Sequence, residues 1–286
     1  MAYPVPQSRS PLPRLQSRLL LDYHRLALSW QARRQRDSRP VKLRRDCEFI
    51  QVSDGARTVH IPDIRGAKLF SGGIGGRLAA VAAKYTGGTG YVPREGDLIV
   101  DVGAGIGEFT LWCADAGARV VAFEPDPLAF ACLQRNVHGR ADIQVFPYAL
   151  WKERADLRLH GSADTSESSL IENGSASART ADVEAWPLDA LPVVTRLPVI
   201  DFMKVDGEGV EPEILAGGGR TLRRTRAIAV DIGSSDRRPN LRARVEAALE
   251  SLLFRPLPHD RGDTILALNT AMVGPFSNRA LDRRSS

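Results

Sequence analysis

The sequence predicts an α/β protein built on a doubly wound, mostly parallel sheet. Short apolar runs of the kind shown by strands buried on both faces alternate with stretches of helical spacing over most of the chain. The first such run opens a glycine-rich loop that leads straight into a helix. At 286 residues and 43% hydrophobic content, the chain is long enough for one large domain or a domain with an appendage.

Taken in order, residues 1–12 are rich in Pro and Ser and predict disorder. From Pro13, Leu15, Leu19, Tyr23, Leu26 and Trp30 share one helical face among arginines. Such a helix suits packing on its own domain or a second subunit, and also peripheral contact with an anionic membrane. Residues 47–61 suggest a small hairpin turning at Asp54-Gly55. The stretch KLFSGGIGGRLAAVAAKY follows, a glycine loop ahead of a helix at Arg77–Tyr85, read as a flexible lid or entry segment beside the site.

The organising stretch is LIVDVGAGIGEFTLWCADAGARVVAFEPD, from Leu98 to Asp126. Its strand closes on Asp101, and Gly103, Gly105 and Gly107 make a G-x-G-x-G loop into a helix. A second strand, Arg119–Phe123, ends on Glu124, seventeen residues beyond Gly107. Glycines let backbone pass close to a ligand, a helix start offers free N–H groups, and an acid at the next strand tip can accept hydrogen bonds from both hydroxyls of a ribose. The unit predicts a nucleoside pocket. The alternative is that the glycines only make a tight turn.

A dinucleotide site needs a third glycine where this chain has Glu108. Acids before the loop (Asp101) and within it (Glu108) suit instead a ligand carrying an amine and a sulfonium, which describes S-adenosylmethionine.

Farther on, the pattern predicts a helix at Pro127–Val137 with Leu128, Cys132 and Leu133 inward, and a third strand at Ile143–Phe146. Leu157 and Leu159 begin an extra hairpin returning near Val183, with a long polar loop between, either a substrate-facing loop or a solvated excursion. A fourth strand at Val199–Val205 ends in Asp206-Gly207-Glu208-Gly209, and a helix opens at Glu211–Leu215. A fifth strand at Ala227–Ile232, a helix at Leu241–Leu253 and a last strand at Thr264–Leu268 complete the pattern.

Composition narrows the function classes. Cys47, Cys113 and Cys132 are odd in number and widely spaced, which argues for a reducing compartment and against a disulfide scaffold or zinc site. No apolar run approaches the ~20 residues that span a bilayer, and Leu19–Leu21 is too short for a signal peptide core, so the expectation is a cytoplasmic protein. Residues 1–45 hold eleven arginines and lysines against Asp22 and Asp37, a balance of +9 within a total of +5. A basic arm on a mildly acidic body argues against a dedicated nucleic-acid-binding domain.

Several spaced segments resemble the FkbM family of S-adenosylmethionine-dependent methyltransferases, over roughly residues 90–270: DVGAGIG at Asp101–Gly107, FEPDP at Phe123–Pro127, Asn136, Ala149, Ser168-Ser169-Leu170 and Leu188-Asp189. The most specific is MKVDGEGVEPEIL at Met203–Leu215, similar to the family's I-K-I-D-x-E-G-x-E. Ala104 and Asp231 depart from it, standing where many members have Asn and Glu. The resemblance implies a seven-stranded class I methyltransferase fold (Rossmann-like) and O-methylation of a sugar, glycan, glycolipid or other natural-product hydroxyl. The division expected is a basic arm with helix and hairpin over 1–60, a methyltransferase domain over 61–274 and a loose tail over 275–286.

In an open α/β sheet, ligands lie beyond the carboxyl ends of the strands. Asp101, Gly103, Ala104, Gly105, Glu124, Pro125, Tyr148 and Ala149 are therefore the cofactor candidates, with Glu124 on the ribose and Pro125 and the Tyr148-Ala149 corner flanking adenine. Lys204 and Asp206 share a side of the fourth strand. Asp206 or Glu208 is the candidate base or substrate-orienting group, with Lys204 tuning local charge or simply pairing to hold the strand end. Asp206, Glu208 and Glu211 could also gather Mg²⁺, though the sequence does not require a metal. His259 lies near the last strands and could reach the site, but the mechanism does not rest on it. A homo-oligomer stays open. So do an RNA methyltransferase, prompted by the basic arm, and a non-catalytic scaffold binding a membrane or partner through its first helix.

Overall fold

A computed structural model describes residues 41–87, 89–161, 168–169, 179–233, 240–258 and 262–272. The expected first helix, most of the polar loop, His259 and the C-terminal tail lie outside these residues.

The described residues open with three antiparallel strands, β1 (Lys42–Asp46), β2 (Phe49–Ser53) and β3 (Thr58–Ile61), where the sequence suggested a two-stranded hairpin. Asp54 shapes the β2–β3 turn by accepting from the backbone N–H groups of Ala56 and Arg57. A 3₁₀ turn (Ile64–Phe70) leads to helix α1, Gly73–Thr86, which starts before the predicted Arg77. Residues 41–78 form one apolar cluster that runs through Val52, Ile61, Phe70, Ile74 and Leu78 and meets Trp112 and Ile106 of the main domain. The packing is thus continuous across residue 60.

Among the described residues the main sheet holds seven strands. They are β4 (Leu98–Val102), β5 (Arg119–Phe123), β6 (Ile143–Phe146), β11 (Ile200–Asp206), β12 (Thr225–Asp231), β13 (Phe254–Pro256) and β14 (Thr264–Asn269), in the spatial order β13-β14-β12-β11-β4-β5-β6. β14 runs antiparallel to both neighbours, and the other neighbouring pairs are parallel. Chain order reverses between β4 and β11, the crevice where open sheets of this kind bind ligands. β13, a short edge strand containing Pro256, carries too little pattern to stand out in the sequence.

Alternate residues of the central strands serve opposite faces. Ile99, Phe202 and Ala227 pack with Phe109, Phe130 and Leu133 from helices α2 (Glu108–Asp115) and α3 (Pro127–Asn136). Val100, Met203 and Ile228 pack on the other face with Leu188, Leu222 and Val245. The continuous apolar runs follow from this two-sided covering. The expected extra hairpin is present as β8 (Ala155–Gly161) and β10 (Arg179–Trp186), antiparallel to each other. They join β7 (Ala149–Leu150) and β9 (Ser168–Ser169) in a separate four-stranded sheet.

Local capping sets where helices start. Asp126 accepts from Leu128 and Ala129 N–H at 2.8 and 3.2 Å, and Pro127 follows at the first helical position. Asn136 closes α3 and reaches outward, donating to the carbonyls of His60 (3.0 Å) and Ile106 (2.9 Å) and accepting from His60 N–H (2.6 Å). One amide therefore fastens the N-terminal sheet to the glycine loop.

Gly103 meets two constraints at once: its φ is +70°, and an added Cβ would collide with the carbonyl oxygen of Asp206 on β11. Gly103→Ala should destabilise the protein by roughly 3 kcal/mol, from left-handed strain together with overpacking. Urea denaturation checks this, the expected result being a lower midpoint at unchanged slope.

Candidate functional site

The tips of β4, β5, β11 and β12 place five ionisable side chains beside one glycine loop. At its centre is Lys204, only 4% exposed. Its Nζ donates to Asp101 Oδ1 (3.1 Å) and to the carbonyls of Val102 (3.2 Å) and Gly103 (2.6 Å), and lies 3.9 Å from Asp206 Oδ2. Burial alone would lower its pKa, but the charges of Asp101 and Asp206 and the hydrogen bond to Asp101 outweigh burial and raise it. The ammonium is thus a fixed positive charge that ties β11 to the loop after β4.

Asp101 is fully buried, and its second oxygen accepts from Thr110 Oγ1 at 2.6 Å. Glu108 is held by Arg77 of α1 through Nε (2.6 Å) and Nη2 (3.0 Å). The two acids expected to face a cationic ligand therefore each carry a cation from the protein itself. The sequence gives the acids but not the distant partners that neutralise them.

Glu124 stands at the tip of β5 and is buried. Its Oε2 accepts from Gly105 N–H (2.7 Å) and its Oε1 from Asp126 N–H (2.8 Å), while Gly103 and Ala104 both donate to the carbonyl of Phe123. Burial and the nearby Asp126 push the Glu124 pKa up to about 8, against the pull of those two amides and of Lys204. Gly105 has φ +58° and nothing within 4 Å of the place a Cβ would take, so a ligand can approach its backbone. Ala104 is buried in the core. The loop, Glu124 and half-buried Pro125 form one continuous edge.

Beyond β6, Tyr148 lies between the rings of Phe146 (6.1 Å, 19° between planes) and Trp186 (6.0 Å, 49°). Ala149 is buried and paired in β7 with Ala185, so its backbone belongs to the small sheet. At this corner Tyr148 is half-buried and packed against the core.

On the other side of the loop, Asp206 is 22% exposed along its side chain and adjoins Asp231 across β11 and β12. Burial and the charge of Asp206 raise the Asp231 pKa, opposed by its ion pair with Lys84 of α1. The neighbouring Tyr85 donates its hydroxyl to Asp206 Oδ2 at 2.7 Å. Lys84, Tyr85 and Arg77 were not singled out as site residues by their sequence pattern; a helical face with two bases and a tyrosine gives no hint of its partners.

Glu208 occupies the turn after β11 with φ +53° and is half-buried. Glu211 folds back, its Oε1 accepting from Gly207 (3.1 Å) and Gly209 (2.8 Å) N–H, so it shapes that turn. Among the described residues no group of three or more His, Cys, Asp or Glu side chains is arranged to hold a metal ion, which leaves the Mg²⁺ idea without support. Among them, too, no helix is long and apolar enough to cross a membrane.

This strand order, with a glycine loop and acid-tipped strands at its switch point, is the Rossmann-like α/β arrangement of the class I methyltransferase fold. The profile of the methyltransferase FkbM domain matches residues 101–256, and the chain belongs to that family. Among curated proteins none matches. Solved structures similar to the chain include precorrin-6y C5,15-methyltransferase from Geobacter metallireducens GS-15, with 12% identity over 68% of this chain and 88% of that one, TM-score 0.39. Magnesium protoporphyrin IX methyltransferase from Synechocystis PCC 6803 shows 12% identity over 69% and 78%, TM-score 0.39. A TehB-like S-adenosylmethionine-dependent methyltransferase from Corynebacterium glutamicum shows 14% over 71% and 92%, TM-score 0.39.

Cofactor binding should follow pH through Glu124. If ribose hydroxyls donate to its carboxylate, binding favours the ionised form, which in the free protein predominates only above about pH 8. Affinity for S-adenosylhomocysteine should therefore rise with pH from 6.5 toward a plateau above about 8, by at most about tenfold per unit, with proton release on binding. Titration calorimetry in buffers of different ionisation heat checks this, and Glu124→Gln should flatten the dependence.

Proposed function

We propose that the protein transfers the methyl group of S-adenosylmethionine to a hydroxyl oxygen of a sugar, glycan or other small natural product. The cofactor supplies an electrophilic methyl on a sulfonium. Gly103, Gly105, Glu124, Pro125 and Tyr148 are the residues suited to hold it: open space at Gly105 admits a ligand, Glu124 offers carboxylate oxygens to a ribose, and Tyr148 offers a ring edge to adenine. Asp101 and Ala104 support the loop from below, and Ala149 anchors the corner.

The observation that carries the reading is Asp206. It is the partly exposed carboxylate at the β11 tip, beside Gly103 and held by Tyr85. Methyl transfer to a hydroxyl oxygen leaves a proton to be removed from that oxygen, and a positioned carboxylate acting as its base contributes about 10²–10⁴-fold. In the proposed step the acceptor O–H proton passes to Asp206 as the oxygen lone pair forms the new O–CH₃ bond. The methyl–sulfur bond breaks with its electron pair left on sulfur, so the sulfonium charge disappears and S-adenosylhomocysteine departs neutral at sulfur. Glu208, in the next turn, orients the acceptor. Lys204, buried against Asp101, fixes the geometry and local charge without reaching the acceptor.

The experiment is methyl transfer from isotope-labelled S-adenosylmethionine to a panel of glycosides and natural-product alcohols, with products located by mass spectrometry. The expected product is an O-methyl ether. Asp206→Asn should lower kcat by about 100-fold or more while S-adenosylhomocysteine binds within about threefold of the native protein. Label on nitrogen, or on RNA, would contradict the reading.

A further inference from the structure

The matched domain begins at residue 101, yet a side chain from before it completes the acceptor side of the site. Tyr85 lies on α1, its ring packed edge-on against Phe109 at 5.6 Å, and its hydroxyl reaches Asp206 Oδ2. Lys204 Nζ sits 5.1 Å from the centre of the same ring and approaches the same carboxylate oxygen. Among the described residues, the hydrogen bond and ion pair of Asp206 both fall on Oδ2, and Oδ1 takes neither. One residue earlier on α1, Lys84 pairs with Asp231, whose Oδ2 also lies 3.5 Å from the Tyr85 hydroxyl, against 2.7 Å for Asp206 Oδ2.

We propose that Tyr85 is a positioning residue that fixes Oδ2 of Asp206 and so presents Oδ1 to the acceptor hydroxyl. The inference rests on the assignment of Asp206 as proton acceptor and names what aims it. Burial, with Asp206 and Asp231 nearby, holds the Tyr85 pKa well above that of an ordinary tyrosine, so the phenol stays a neutral donor. Tyr85 works through Asp206, its shorter contact at 2.7 Å, with Asp231 Oδ2 a longer one at 3.5 Å.

The test needs no acceptor. Sinefungin is a cofactor analogue with an amine-bearing carbon in place of the methyl-bearing sulfonium, and S-adenosylhomocysteine has a neutral thioether sulfur there with neither methyl nor amine. The ratio of their affinities therefore reads a carboxylate aimed at the transferred methyl. In titration calorimetry, native protein should prefer sinefungin, and Asp206→Asn should abolish the preference. Tyr85→Phe, which keeps the ring and its packing, should cut the ratio by roughly fivefold to tenfold with S-adenosylhomocysteine affinity unchanged, the size of one ordinary net hydrogen bond. Lys84→Met disturbs the same helix end and should not lower the ratio.

If Asp206→Asn abolishes the preference but Tyr85→Phe leaves it intact, or weakens both ligands equally, Tyr85 is scaffold and the inference fails while the acceptor reading stands. If Asp206→Asn leaves the preference unchanged, the acceptor reading itself fails and takes the inference with it. Binding of neither ligand to native protein would overturn both.

Discussion

The constraint on which the site depends is the burial of one ammonium ion. Lys204 is almost wholly inside the protein, and an isolated charge there would be untenable. The structure surrounds it with the Asp101 carboxylate, two carbonyls of the turning β4 strand and the more distant Asp206. Those partners are satisfied only if β4 and β11 end at the same level and the chain turns immediately after Val102. Gly103 then passes against Asp206, where any side chain would collide. A single buried charge, with the contact beside it, thereby sets the height, turn and spacing of the two strand tips that flank the proposed methyl-transfer position.

The N-terminal unit takes part in the same electrostatics. Arg77 pairs with Glu108 at the start of α2, Lys84 pairs with Asp231 and Tyr85 bonds to Asp206, so α1 contacts three carboxylates around the loop. Carboxylates at the tips of neighbouring strands repel one another in a poorly solvated site. Cations from α1 relieve that repulsion at Glu108 and Asp231, and Lys204 does so at Asp101. The partly exposed Asp206 receives a neutral donor from α1, which orients it without cancelling its charge. The result is a site whose partly exposed carboxylate stands on the side of the proposed acceptor.

Much of the fold was legible in the sequence because it rests on local pattern. Buried parallel strands leave continuous apolar runs, and β4, β5, β6, β11, β12 and β14 stand close to where those runs predicted. The G-x-G-x-G turn and the Pro127 helix start carry their own chemistry. β1 and β13 were missed, the first because its charged residues mask its alternation and the second because three residues hold no period. The site was legible as a set of strand-tip residues but not as a network. Asp101, Glu108 and Glu211 look alike in sequence as available acids. Their roles as partner of Lys204, partner of Arg77 and shaper of the β11 turn depend on long-range contacts or on how the turn folds back. Tyr85, 121 residues from Asp206 in sequence, could be placed only by the fold.

The claim that the Lys204–Asp101 pair sets the site is tested most directly by a double-mutant cycle on stability with Lys204→Met, Asp101→Asn and both together. The account predicts that Lys204→Met alone costs about 3–5 kcal/mol by leaving a buried carboxylate uncompensated. The double variant should recover part of this, with a coupling of at least about 1 kcal/mol. Additivity within about 0.5 kcal/mol would contradict it and reduce the pair to two independent packing residues.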